Sequence, residues 1–127
     1  MAVNIDHQFR ATADRLWEIL GKPDRVDWVP GVQRCVLEDD VRSLTLPGAG
    51  NIKERILFYS NERRIIEYSC FEAPGTLKTH RARMEVLSNA KGCQLLWQAE
   101  VTPVNIEAFI RKSMEGCLVR LEQLLNP

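Results

Sequence analysis

Asn105 to Leu125 reads NIEAFIRKSMEGCLVRLEQLL, and its apolar residues recur on a helical period. Ile106, Phe109, Ile110, Met114, Cys117, Leu118, Leu121 and Leu125 follow i, i+3, i+4 and i+7 spacings, which gathers them into one stripe of an α-helix. The stretch has no proline and a single glycine, Gly116. At ~1.5 Å per residue it would extend roughly 30 Å, making it the longest element of the chain. A stripe of that length needs a broad apolar surface to cover it.

The rest of the chain supplies that surface as strands. Residues 2–10 alternate, with Val3, Ile5, His7 and Phe9 on one side and Asn4, Asp6 and Gln8 on the other, the mark of a half-buried strand. From Thr12, a candidate N-cap, the period changes to helical through Ala13, Leu16, Trp17 and Leu20, and Gly21 offers a stop. Pro23 to Pro30, PDRVDWVP, fits a second, single-turn helix that would carry Trp28 to the core. Six further strands are predicted at about 32–38, 42–47, 52–60, 64–71, 77–87 and 93–101, with ends uncertain by ~2–4 residues. The turn-formers between them include Asp39-Asp40, Pro47-Gly48-Ala49-Gly50 and Ala73-Pro74-Gly75. The expectation is an α+β fold in which a curved antiparallel sheet wraps the last helix.

Composition bounds the function. The 127 residues carry seventeen basic and seventeen acidic side chains. That balance argues against nucleic acid or an anionic membrane surface as the main partner, because such binding relies on excess Lys and Arg. One domain, residues 1–127, is expected at this length. No run approaches the roughly 18 apolar residues of a membrane span. The first ten residues include Asp6, His7 and Arg10 and lack a signal-peptide pattern, so a cytoplasmic protein is expected, monomeric or homodimeric. Cys35, Cys70, Cys93 and Cys117 are widely spaced, with no Cys-x-x-Cys and no histidine close in sequence, so they read as free thiols and no metal site is expected.

Alternation assigns the inward face of each strand. It gives Ile52, Glu54, Ile56 and Phe58, then Ile66, Tyr68 and Cys70, then His80, Ala82, Met84 and Val86, and finally Cys93, Leu95, Trp97, Ala99 and Val101. Lys53, Arg55, Glu67, Arg81, Arg83 and Glu85 fall outward. Glu54 is the anomaly, an inward carboxylate between two isoleucines. It must be protonated, paired, or in contact with water in a cavity. Tyr68, His80 and His7 are inward by the same rule and are its candidate partners, and an ion pair with a nearby arginine in a solid core is the alternative. For His7 a structural role is the simpler reading, and Trp17, Trp28 and Trp97 read most simply as core residues.

In order and spacing, several segments resemble the START and birch-pollen-allergen superfamily (SRPBCC), and within it the small bacterial polyketide cyclase/dehydrase-like proteins. They are Thr12-Ala13-Asp14-Arg15-Leu16-Trp17, Trp28-Val29-Pro30-Gly31-Val32, Val41 to Pro47, Ile52-Lys53-Glu54-Arg55-Ile56, Arg64-Ile65-Ile66-Glu67-Tyr68, and Trp97 ahead of Pro103. The resemblance spans essentially the whole chain. It implies the helix-grip fold: seven antiparallel strands, two short helices between the first and second, and a pocket between sheet and C-terminal helix. It also implies that Glu54, Tyr68 and His80 line the pocket, that Phe109, Ser113 and Cys117 form the helix's pocket-facing stripe, and that Leu46-Pro47-Gly48 is a loop at the entrance.

Three functions are compatible with this reading. The first is binding of a hydrophobic small molecule such as a lipid, a polyketide-like ring or an isoprenoid. Leu46, Pro47, Ile56, Phe58, Ala82, Met84, Trp97, Phe109, Ser113 and Cys117 would serve as its walls. The second is a cofactor-independent cyclase or dehydratase in which a desolvated Glu54 exchanges protons with His80 or Tyr68. The third is a protein-interaction or lipid-chaperone module using outward Leu57, Tyr59 and Leu96. No Gly-x-Ser-x-Gly, metal-ligand spacing or phosphate loop is present.

Overall fold

The computed structural model describes residues 2–32 and 34–126. In chain order the elements are β1 (Ala2–Phe9), α1 (Ala13–Leu20), β2 (Cys35–Glu38), β3 (Val41–Leu46), β4 (Gly50–Ser60), β5 (Ile65–Glu72), β6 (Thr79–Asn89), β7 (Gly92–Thr102), a 3-10 turn (Val104–Ile106) and α2 (Glu107–Leu125). The strands form one antiparallel sheet in the order β1-β7-β6-β5-β4-β3-β2. Strands β2 to β7 are a meander, and β1 returns to pair with β7 from Ala2 opposite Glu100 to Phe9 opposite Cys93. Gly92, at φ +137°, is required at that junction: a Cβ there would lie 2.4 Å from the Phe9 carbonyl oxygen.

The Thr12 side chain caps α1 by accepting from the Arg15 N–H. The expected second short helix does not form. Residues 23–30 wind instead through isolated turns, with Arg25 N–H bonded to the Lys22 carbonyl and Val29 N–H to the Val26 carbonyl. Here the segment is held by its side chains. Trp28 is buried, its indole N–H bonded to the Arg25 carbonyl at 2.9 Å and its ring edge-on to Trp97. The first of the six later strands, expected from residue 32, begins at Cys35; Gln33 lies outside the described residues.

Two irregularities in the β4–β5 pairing alter which side chains face inward. Ile56 lies opposite Tyr68 but Phe58 opposite Glu67, so Leu57 is an extra residue on β4. Period 2 is broken there, and every later residue of β4 changes face. Phe58, expected inside, is therefore 41% exposed. Tyr59, expected outside, turns to α1 while staying 42% exposed; its hydroxyl donates to the Gly21 carbonyl at 2.7 Å and its ring stacks obliquely on Trp17. The outer face is charged as the alternation requires, with Glu67 bridging Arg81 and Arg83.

The stripe on α2 divides at its middle. Met114, Cys117, Leu121 and Leu125 are buried against the main core, whereas Phe109, in the first turn of the helix, is 44% exposed. The main core joins α1 and the C-terminal half of α2 to the inner faces of β1, β6 and β7. A second cluster, built on Val32, Leu44, Ile52 and Cys70, lies toward the β2 edge. The N-terminal half of α2 stands over the gap between the two.

This division predicts unequal costs along one helix. Leu121→Ala removes a fully buried side chain and should destabilise by about 2–5 kcal/mol. Phe109→Ala should stay within about 0.5 kcal/mol of the parent. Urea titration checks both, read as a shift in midpoint at unchanged slope.

Candidate functional site

The gap is a cavity of about 370 Å³. Its walls draw on both core clusters: Trp97, Ala99, Met114 and Cys117 from one, Leu44, Ile52 and Cys70 from the other. Val26, Trp28 and Val29 close one side, and Phe109 stands with Gly48 at the mouth, its ring 3.5 Å from where a Gly48 Cβ would be.

Of the residues expected to do chemistry, the structure brings Glu54, Tyr68 and His80 to this one cavity. Leu46, Trp97, Phe109, Ser113 and Cys117 also line it. Pro47, Ile56, Phe58, Ala82 and Met84 do not. The Pro47 ring packs on Gly31, where a Cβ would come within 2.3 Å of it. Ile56, Ala82 and Met84 belong to the main core that α1 and the lower half of α2 cover, and Met84 is fully buried there. Phe58 is turned outward by the bulge. His7 is likewise remote: its ring lies against Phe9, and its Nε2 is 3.7 Å from Glu122 of α2.

Glu54 is paired, and the pair sits in the cavity wall. Arg42 Nε donates to Glu54 Oε1 at 2.7 Å, with both side chains buried. The two residues face each other directly across the β3–β4 hairpin. Arg42 Nη1 donates to the Pro23 carbonyl at 3.0 Å, and the guanidinium lies 4.7 Å over the Tyr68 ring. Burial works most strongly against the Arg42 charge, but its neighbours, Glu54 foremost, together hold the guanidinium above its ordinary value. No acceptor site on Glu54 Oε2 is used by a protein donor among the described residues.

Tyr68 is buried and its oxygen accepts from Trp97 Nε1 at 3.2 Å. Burial, reinforced by the Glu54 charge, raises its pKa and keeps the phenol protonated. His80 packs 5.8 Å from it, centroid to centroid. The β5–β6 ladder ends at Tyr68 opposite Ala82, and beyond it the imidazole replaces a backbone acceptor: the Cys70 N–H donates to His80 Nδ1 at 2.9 Å. The Ser69 hydroxyl meanwhile bonds to the His80 carbonyl. Burial lowers the His80 pKa, favouring the neutral ring. The cavity thiols are inert near neutral pH, since burial pushes Cys70 up to about 11 and Cys117 up to about 12. Among the described residues, no three His, Cys, Asp or Glu side chains are grouped to hold a metal ion.

The sequence reading passed over Arg42 as a wall residue, took Trp28 as core only, and did not place Val26, Val29, Ala99 or Met114 at the cavity. For Arg42 a signal existed: it shares a face of β3 with Leu44 and Leu46, and a hairpin turning at Pro47-Gly48-Ala49 sets it opposite Glu54.

A sheet gripping a helix with a cavity between them is the helix-grip fold. The family model for polyketide cyclase / dehydrase and lipid transport matches residues 2–126, and the chain belongs to that family. Among solved structures, an uncharacterised protein of Bacillus thuringiensis is similar over 100% of both chains, at 20% identity and TM-score 0.89. Ara h 8.0201 is similar over 98% of this chain and 97% of its own, at 10% identity and TM-score 0.81. A START superfamily protein of Mycobacterium smegmatis matches over 98% and 96%, at 15% identity and TM-score 0.77. Comparison with curated proteins returns no match.

Two outcomes test the site's electrostatics. Arg42→Met leaves Glu54 buried without its cation and should cost about 3–5 kcal/mol, most of it recovered in Arg42→Met/Glu54→Leu, as measured by urea titration. For His80 the folded state holds fewer protons than the unfolded one below the ordinary imidazole value of 6.5. Its contribution to stability is therefore complete above that pH and declines as pH falls through it. The thermal midpoint should drop across this window, and His80→Asn should flatten the drop.

Proposed function

We propose that the protein binds a hydrophobic small molecule in the cavity between the sheet and the N-terminal half of α2. The observation that carries this reading is the cavity itself: about 370 Å³, walled mainly by apolar side chains, with Glu54, Tyr68 and His80 gathered among its polar groups. Apolar enclosure supplies affinity at about 25 cal/mol per Å² buried, and a few convergent polar groups set orientation. Family membership supports the same reading, since its description couples cyclase and dehydrase chemistry with lipid transport. The neutral charge balance and the absence, among the described residues, of any helix long and apolar enough to cross a membrane fit a small-molecule partner.

A second reading, cofactor-independent acid/base catalysis, is favoured by one observation. Glu54 Oε2 is left without a protein donor in the cavity wall, beside a phenol and an imidazole. A carboxylate so placed can take a proton from a bound carbon acid or hydroxyl.

Purified protein examined by native mass spectrometry should carry or take up one apolar ring compound per chain. Ser113→Trp adds an indole from an exposed helix position that lines the cavity and should weaken uptake by about tenfold or more, about 1.4 kcal/mol of binding free energy. Undiminished uptake removes the cavity as the binding site. Glu54→Gln separates the two readings: retained uptake with lost turnover marks catalysis.

A further inference from the structure

The polar end of the cavity has its hydrogen-bonding polarity fixed by the protein's own bonds. A backbone N–H can only donate, so the bond from Cys70 N–H to His80 Nδ1 places the lone pair on Nδ1. The proton of the neutral ring is therefore on Nε2, and Nε2–H has no acceptor among the described residues. Tyr68 is constrained in the same way. Its oxygen already accepts from Trp97, so its own proton is left to donate, and no protein group among the described residues receives it. The two rings are neighbours in the cavity wall, 5.8 Å apart. The two arginines of the wall are already engaged: Arg42 by Glu54 and the Pro23 carbonyl, its charge matched by Glu54, and Arg25 by both carboxylate oxygens of Asp27.

We propose that the Tyr68 hydroxyl and His80 Nε2–H together receive the neutral carbonyl oxygen of an apolar ring ligand, so that the site selects ketones over the parent hydrocarbons and over carboxylates. This rests on the cavity being a ligand site. An sp² oxygen has two lone pairs and can accept from two donors at once. A hydrocarbon of the same shape leaves both donors desolvated and unsatisfied. A carboxylate sets a second negative charge beside Glu54, whose own charge already balances Arg42.

Fluorene, 9-fluorenone and fluorene-9-carboxylate share one ring system and test this directly. Isothermal titration of the intact protein should show fluorenone binding about tenfold more tightly than either of the others, the size of one or two net hydrogen bonds. The carbonyl stretch of bound fluorenone should lie at lower wavenumber than in an alkane. In His80→Asn the shorter amide still offers an acceptor to Cys70 N–H but no donor at the Nε2 position. The ketone-to-hydrocarbon ratio should fall severalfold there, and again in Tyr68→Phe. Equal affinities, an unmoved carbonyl stretch, or a ratio undiminished in both variants overturns the proposal and leaves the cavity as a binding site. If the wild-type protein takes up none of the three compounds, the ligand-binding reading falls and this one with it. If His80→Asn does not fold, the wild-type stretch and Tyr68→Phe decide.

Discussion

A carboxylate between two isoleucines on the inner face of a sheet needs neutralisation or hydrogen-bond partners, and the Arg42–Glu54 pair supplies both at 2.7 Å. The pair does more than neutralise. It lies at the seam between the two apolar clusters and draws the turn segment inward through the Pro23 carbonyl. It also sets a guanidinium over Tyr68. The cavity keeps a polar end because these groups cannot be packed as hydrocarbon, and the apolar walls around them exclude bulk water from their other sides.

Helix α2 sets the volume. Its stripe is continuous in sequence, but the sheet beneath it supplies matching apolar floor only from Met114 onward. Over the first two turns, which bring Phe109, Ile110 and Ser113 to the cavity, the opposite walls include Leu44, Ile52 and Cys70 of β3 to β5. The same periodicity that signals a packed helix therefore yields a packed half and a cavity-lining half, with Phe109 and Ser113 in the second and Met114 and Cys117 at the boundary, buried in the core yet bordering the cavity.

The fold was legible because it rests on periodicity. Alternation in β1, β6 and β7 placed Val3, Phe9, Met84, Val86, Leu95 and Trp97 inside, where they are. Glu54, Tyr68 and His80 were legible as inward groups for the same reason. What escaped were departures from periodicity. The extra Leu57 in β4 reverses Phe58 and Tyr59, and no local residue type announces it. Residues 23–30 have the prolines of a helix start but are held by the Trp28 side chain in open turns. Arg42 was overlooked although hairpin register alone sets it against Glu54. Depth was not legible at all: inward Ala82 and Met84 are solid core while inward Ala99 borders empty space, a difference set by which part of which helix lies above them.

The substitution of a side chain for a ladder acceptor at Cys70 has a further consequence. That amide is protected from solvent by an imidazole and not by a neighbouring strand. Its exchange with deuterium is therefore coupled to the ring: protonating or displacing His80 removes the acceptor and releases the amide, while the paired amides of Ile66 and Tyr68 nearby stay protected by the sheet. One backbone hydrogen thus acts as a built-in gauge of the state of the cavity, readable without a known ligand.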